Sequence, residues 1–171
     1  MFEGLNESHG CLSRPLSKLR VFLANWCRNL NGEWTVSLSH CPLRVVSLAG
    51  TWYTNDETIS DIVTFFGDIE CVNLNKCYKI SDEGLRRFVF SKNLRILKIS
   101  GCFKVGDRSL GPVVEECGTL RQIAMDDCRS ISRSMMDKVR SLGLLLLEGK
   151  KENVDEIWDE SGRYMKRDFL F

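Results

Sequence analysis

The chain has 171 residues, of which 43% are hydrophobic, and it carries 24 basic and 23 acidic side chains. This length and composition suffice to bury a core. Because the charges nearly balance, they argue against a nucleic-acid-binding protein and against a polybasic membrane anchor. No apolar run approaches the roughly 20 residues of a membrane-spanning helix, and the start MFEGLNESHG resembles neither a secretory signal nor a transit peptide.

One short pattern recurs along the chain. It is nine residues long, with apolar residues at positions 1, 4 and 6 and a cysteine at position 9, as in LRILKISGC ending at Cys102. The six copies begin at Leu19, Leu43, Ile69, Leu94, Leu120 and Leu142. The second copy has Thr51 in place of the cysteine, and the sixth is truncated. Their spacing of 24, 26, 25, 26 and 22 residues indicates a repeat architecture.

A helix-start signal follows four copies of the pattern. The segments TNDETI, KISDEGL, KVGDRSL and SISRSMM place Ser, Asn or Asp just before apolar residues at helical spacing. Such short polar side chains accept hydrogen bonds from the free N–H groups of a first helical turn. Each unit is therefore predicted to be one short strand and one helix. Since neither can bury its apolar side alone, stacked units would share a core, with parallel strands on the concave side.

These units resemble leucine-rich repeats of the cysteine-containing type, typified by C-x-x-I-[ST]-D-x-G-L. The segment CYKISDEGL, residues 77–85, matches that motif in full, whereas CFKVGDRSL departs from it at Gly106 and Ser109. The segment CRSISRSMM lacks the acid and the glycine. The resemblance implies an α/β fold: a leucine-rich-repeat solenoid of about six strand–helix repeats over residues 19–148, with parallel strands on the concave face.

Both ends of the chain are predicted to close this solenoid, because an open stack of units needs caps. Residues 1–18 are expected to be an N-terminal cap or leader, and they are too few for an F-box. Residues 149–171 are expected to be a C-terminal capping helix and tail, since Val154, Ile157 and Trp158 recur near helical spacing.

The chain has eight cysteines, but it lacks a Cys-x-x-Cys pair and has only two histidines, a combination unlike a zinc site. The cysteine position of the repeat is occupied in four units, by Cys27, Cys77, Cys102 and Cys128. We predict that these four thiols are buried and unpaired with one another, because a free thiol is small and packs like an apolar group. Neither a metal nor a cofactor is expected.

The sequence offers little material for catalysis. It contains no glycine-rich phosphate loop, and nothing in it combines a nucleophile, a base and an orienting group. The chain is therefore predicted not to be an enzyme.

A protein-binding surface is the better supported hypothesis. Alternate strand side chains, among them Asn73 and Lys98, should point outward on the concave face. Trp26 and Asp126 follow just past their strands. The residues that directly follow the cysteine position in the first five units form a row that we call the aromatic edge: Arg28, Trp52, Tyr78, Phe103 and Arg129. Trp, Tyr and Arg are enriched at interface hot spots, although such rings could instead only cover the loops between units.

The resemblance also implies a function. The family includes the recognition domains of F-box ubiquitin-ligase subunits and the antagonist-of-mitotic-exit proteins. It implies an adaptor or substrate-recognition protein of the cytoplasm or nucleus that binds another protein through its concave face and the aromatic edge, with cullin-ligase components among the candidate partners. Neither binding to nucleic acid nor insertion into a membrane is expected.

Two alternatives remain open from the sequence. The segment CVNLNKCYKISDEGLRRF is also similar to the repeat region of ATP synthase subunit s and of the distal-membrane-arm assembly protein. That similarity implies a mitochondrial assembly or coupling factor. The other alternative is a piece of a larger F-box protein.

Overall fold

The computed structural model describes residues 16–147, in which short strands alternate with helices. The strands are β1 (Val21–Leu23), β2 (Val45–Ser47), β3 (Cys71–Asn73), β4 (Ile96–Lys98), β5 (Gln122–Ala124) and β6 (Leu145–Leu146). The α-helices are α1 (Glu33–Ser37), α2 (Asp56–Phe65), α3 (Asp82–Arg86), α4 (Asp107–Glu116) and α5 (Arg133–Ser141). A 3-10 helix, Arg87–Phe90, continues α3.

The six strands form one parallel sheet whose order follows the chain from β1 to β6. The register keeps the same repeat position in line, so that Val46 lies opposite Val72, Val72 opposite Leu97, and Leu97 opposite Ile123. Each strand falls within one copy of the sequence pattern. The predicted α/β alternation, with about six parallel strands and one strand for each copy, is confirmed.

The core lies between the sheet and the helices. The middle residues of β2 to β5 are fully buried, and they pack with helix residues such as Ile62 and Phe88. Because side chains alternate across a strand, the flanking residues face the other side of the sheet. There Val45, Cys71 and Ile96 form a second, smaller apolar cluster.

Three helices begin at the polar residues that the sequence predicts. The side-chain oxygens of Asn55, Ser81 and Ser132 accept hydrogen bonds of 3.1–3.2 Å from backbone N–H groups in the first turns of α2, α3 and α5. Such caps typically contribute about 1 kcal/mol each. Gly106 occupies the same place before α4 and has no side chain to make that bond.

A row of carboxylates connects each helix start to the next unit, and we call it the aspartate ladder: Asp56, Asp82 and Asp107. Each Oδ1 atom accepts a 2.8 Å hydrogen bond from the backbone N–H of the capping residue one unit further along. Asp82 also accepts a 2.5 Å hydrogen bond from the hydroxyl of Ser109. A Cβ at Gly84 would overlap the Asp56 carboxylate, so the glycine of SDEGL leaves room for the ladder.

Three of the four repeat-position cysteines are buried, as predicted. Cys77, Cys102 and Cys128 each donate their thiol to a backbone carbonyl of the preceding unit, with 3.1 Å between Sγ and oxygen. The prediction is wrong for Cys27, which is exposed, because it lies in the first unit between residues 16 and 147 and has no preceding unit there to cover it. The cysteines within this range are all free.

Thiol reactivity should separate these cysteines. Burial raises the pKa of Cys77 and Cys128, and it raises the pKa of Cys102 to about 12, because a thiolate would lose its hydration. The thiolate is the reactive form. We expect a maleimide at about pH 8 to modify Cys27 first, and the three buried thiols only after unfolding. Peptide mass spectrometry would read out the order, and rapid labelling of the buried three in the native protein would contradict it.

A second prediction concerns alkaline pH. Burial, opposed by the charge of Lys98, raises the pKa of Cys71 from 9.0 to about 11. The unfolded thiol ionises near pH 9 and the folded one about two units higher, so this contribution to stability is present below pH 9 and is lost as the pH rises to 11.

The variant Cys71→Val tests that effect, since it keeps an apolar side chain between Val45 and Ile96. Its free energy of unfolding should fall less steeply between pH 9 and 11, the difference being at most about 1.4 kcal/mol per pH unit. Urea unfolding curves for both proteins would measure the two slopes. Equal slopes would show that the Cys71 thiol does not titrate differently in the folded and unfolded states.

The predicted terminal caps fall mostly outside the described residues. Of residues 1–18, the described part forms a turn in which Leu16 packs against the core and accepts a 3.1 Å hydrogen bond from the Cys41 thiol. The predicted capping helix and tail, residues 149–171, lie wholly outside the described residues.

Candidate protein-binding edge

The turns that follow β1 to β5 are joined by backbone hydrogen bonds that continue the pairing of the strands. Four such bonds of 2.7–2.8 Å link successive turns: Trp26 to Ala49, Gly50 to Asn75, Lys76 to Ser100, and Gly101 to Asp126. Two asparagines add side-chain bonds, since Asn25 accepts from the Ser47 hydroxyl at 2.6 Å and Asn75 accepts from the Ser100 N–H at 2.8 Å. Side chains at equivalent positions in these turns therefore line up along one edge of the sheet.

One position in each of the five turns has a positive φ, and we call these residues the left-handed row: Trp26, Gly50, Lys76, Gly101 and Asp127. A residue other than glycine pays roughly 1–2 kcal/mol for this conformation. The two glycines also provide space. A Cβ at Gly50 would overlap the Trp26 indole, and one at Gly101 would lie 3.1 Å from Cγ of Lys76. Trp26 and Lys76 each lie across the glycine of the next unit.

The aromatic edge lies beside this row and is open to solvent. Trp52 is 65% exposed, and Tyr78 and Phe103 are 44% and 43% exposed. The rings of Tyr78 and Phe103 stack, with their centroids 5.3 Å apart and an angle of 11° between their planes. The guanidinium carbon of Arg129 lies 5.0 Å from the Phe103 centroid. Three predicted residues from three successive units thus form one stack.

The other two members of the aromatic edge, Arg28 and Trp52, are exposed but do not join the stack. Among residues 16–147, neither forms a ring–ring or cation–π contact. In the alternative interpretation of the sequence, the rings only cover the loops between units. Side chains that remain this exposed fit that interpretation poorly. Clustered exposed apolar surface of this kind is typical of interaction sites.

Two further cation–π pairs extend the edge. The Lys76 ammonium lies 5.5 Å from the ring centroid of Trp26, and the Lys79 ammonium lies 5.0 Å from that of Tyr53. Sequence reasoning missed Tyr53 and Lys79. A signal was present, because both residues follow the cysteine position of their unit by two places.

The two predicted concave-face residues, Asn73 and Lys98, end the strands β3 and β4. Their side chains are 6% and 8% exposed, so little of either one is open to solvent. They lie directly opposite each other on neighbouring strands, which are about 4.8 Å apart, and side chains so close cover one another. The Asn73 amide oxygen also accepts the Asn75 N–H at 3.1 Å. Trp26 and Asp126, by contrast, are exposed.

A shallow pocket of about 260 Å³ opens at the stacked rings. It is lined by Tyr78, Phe103 and Gly101 together with the charged residues Lys76, Asp127 and Arg129. The pocket combines flat apolar surface with hydrogen-bond donors of the lysine and arginine. That combination suits a side chain or a short segment of another protein.

Residues 16–147 hold no cluster of three or more His, Cys, Asp or Glu side chains suited to a metal ion. Nor does any helix in that range have the length and apolar character to cross a membrane. No family model matches the chain.

Proposed function

We propose that the chain is a non-enzymatic protein-interaction module that binds a protein partner through the aromatic edge. The observation that carries this proposal is the solvent-exposed stack of Tyr78, Phe103 and Arg129, contributed by three successive units. Aromatic and arginine side chains contribute most of the energy at typical interfaces. Because backbone hydrogen bonds already order the turns beneath them, binding would cost the backbone of these turns little additional entropy.

The fold behind this surface is proposed to be a leucine-rich-repeat solenoid of the cysteine-containing type. Its support is the parallel sheet in chain order, with one strand per unit, together with two links that recur between units. These links are the thiol-to-carbonyl hydrogen bonds and the aspartate ladder. Both use the positions that the motif C-x-x-I-[ST]-D-x-G-L specifies.

By the same resemblance, we propose an adaptor or substrate-recognition role like that of F-box ubiquitin-ligase subunits, in the cytoplasm or nucleus. Cullin-ligase components are then candidate partners. The support for this role is the segment CYKISDEGL and the repeat to which it belongs.

Affinity capture tests the proposal if it is run with a matched variant. The tagged full chain and its Tyr78→Ala/Phe103→Ala variant would be expressed at equal levels, and the captured proteins quantified by mass spectrometry. A partner that is strongly depleted with the variant supports binding through the aromatic edge. Cullin-ligase components among such partners favour the adaptor role, whereas respiratory subunits favour the mitochondrial alternative. If every captured protein is retained by the variant, the proposal is wrong.

A further inference from the structure

Three cations of the candidate edge lie over aromatic rings and are not paired with carboxylates of the described chain. Lys76, Lys79 and Arg129 each lie 5.0–5.5 Å from a ring centroid. Within residues 16–147, none of the three forms an ion pair or donates a side-chain hydrogen bond. The ion pairs found in that range lie elsewhere: Arg44 with Glu70, Lys138 with Glu115, and Arg140 with Asp137.

A ring face positions a cation without neutralising it. The ammonium and guanidinium groups are fixed over Trp26, Tyr53 and Phe103, yet their N–H donors have no acceptor in the described chain. An arginine positioned in this way still presents a planar fork of donors that matches a carboxylate. The edge is therefore arranged for an acceptor that the described part of the chain does not supply.

The charge balance of the five turns points the same way. Cationic side chains outnumber carboxylates there: Arg28, Lys76, Lys79, Lys104 and Arg129 against Asp126 and Asp127. The whole chain, by contrast, has a net charge of only +1. Positive charge is thus concentrated on the edge that also carries the exposed rings, while both carboxylates lie at its β5 end.

We propose that the aromatic edge binds an acidic, extended peptide segment of the partner, an inference that rests on the proposed function. Neighbouring strands are about 4.8 Å apart, so the five turns span about 20 Å, which matches roughly six residues of extended peptide. Carboxylates of that segment would pair with Lys76, Lys79 and Arg129. Its apolar side chains would contact the exposed rings of Trp52 and Tyr78.

A single-stranded nucleic acid fits this edge less well. Bases bind such surfaces by stacking on free ring faces. Here Trp26, Tyr53 and Phe103 each have a face occupied by a cation of the protein itself. Asp126 and Asp127 would in addition repel phosphates at one end of the edge.

Selection from a random peptide display library tests the inference. Peptides of about ten residues would be selected on the full wild-type chain and measured by fluorescence anisotropy. We expect the selected peptides to be rich in Asp and Glu and to bind less tightly as salt is raised from about 0.05 to 0.5 M. Arg129→Gln should weaken binding at least about tenfold, the loss of one charge-assisted contact. The matched control Arg86→Gln, an exposed arginine on α3, should bind like wild type.

The outcomes separate this inference from the proposed function. Selected peptides without acidic residues, no selected peptide at all, or unchanged affinity in Arg129→Gln would overturn the inference. So would tighter binding of a single-stranded oligonucleotide than of the acidic peptides. A captured partner whose binding depends on Tyr78 and Phe103, but not on Arg129, Lys76 or Lys79, would overturn this inference alone and leave the proposed function standing.

Discussion

Replacing Asp82 by alanine is expected to lower the free energy of unfolding by about 3 kcal/mol. The carboxylate accepts hydrogen bonds from the Gly106 N–H and the Ser109 hydroxyl. Ser109 is fully buried and Gly106 is buried, so water cannot readily replace the lost acceptor. A buried donor left unsatisfied costs about 1–3 kcal/mol, and the Ser109 hydroxyl keeps a second acceptor in the Gly106 carbonyl at 3.1 Å.

Urea unfolding would measure this loss against a matched control. Asp68 is exposed and forms no hydrogen bond or ion pair within the described residues, so Asp68→Ala should change stability by no more than about 0.5 kcal/mol. Asp82→Asn keeps one acceptor oxygen, and its loss should lie between those of the two alanine variants. If Asp82→Ala is as stable as Asp68→Ala, the aspartate ladder does not hold the units together.

Truncating the stacked rings should weaken partner binding without unfolding the protein. Tyr78→Ala and Phe103→Ala each remove a central aromatic contact, for which a loss of about 2 kcal/mol, or roughly thirtyfold in affinity, is typical. Because both rings are more than two-fifths exposed, their removal leaves no cavity in the core. The melting temperature should therefore change little.

Phe90→Ala is the matched control, since Phe90 is also an aromatic residue and is 69% exposed, but it lies on the 3-10 helix away from the edge. Titration of the partner and melting curves would be recorded on all three variants. Should the ring variants melt early while binding as tightly per folded molecule as Phe90→Ala, the rings would cover the turns and not bind a partner.

The repeat made the strands and most helix starts predictable. Apolar triplets specify which strand residues enter the core, and Asn55, Ser81 and Ser132 carry the local capping chemistry in their own side chains. Such features depend on residues close in sequence. The sequence pattern could therefore locate them without knowledge of the neighbouring units.

Features that depend on contacts between units were harder to predict. Cys27 has the same local sequence position as Cys102, but its exposure is decided by whether another unit lies against it. The burial of Asn73 and Lys98 depends likewise on the strand beside each one. The sequence predicts that the helix-start aspartates act as local caps, whereas Asp82 accepts its hydrogen bonds from the following unit.

The candidate edge was predictable in part. The shared offset after the cysteine position identified Tyr78, Phe103 and Arg129, which do form one stack. The pairing of Lys79 with Tyr53 depends on side-chain directions across two units, which periodicity does not specify.

Mapping the partner's footprint tests the central claim most directly. Backbone amide chemical shifts of the labelled full chain would be followed while the captured partner, or an acidic peptide selected on the chain, is added. Binding through the aromatic edge predicts that the largest changes fall in the five turns, residues 25–29, 49–53, 75–79, 100–104 and 126–130, with helices α1 to α5 little affected. Changes concentrated on the helices, with those turns unaltered, would contradict the account.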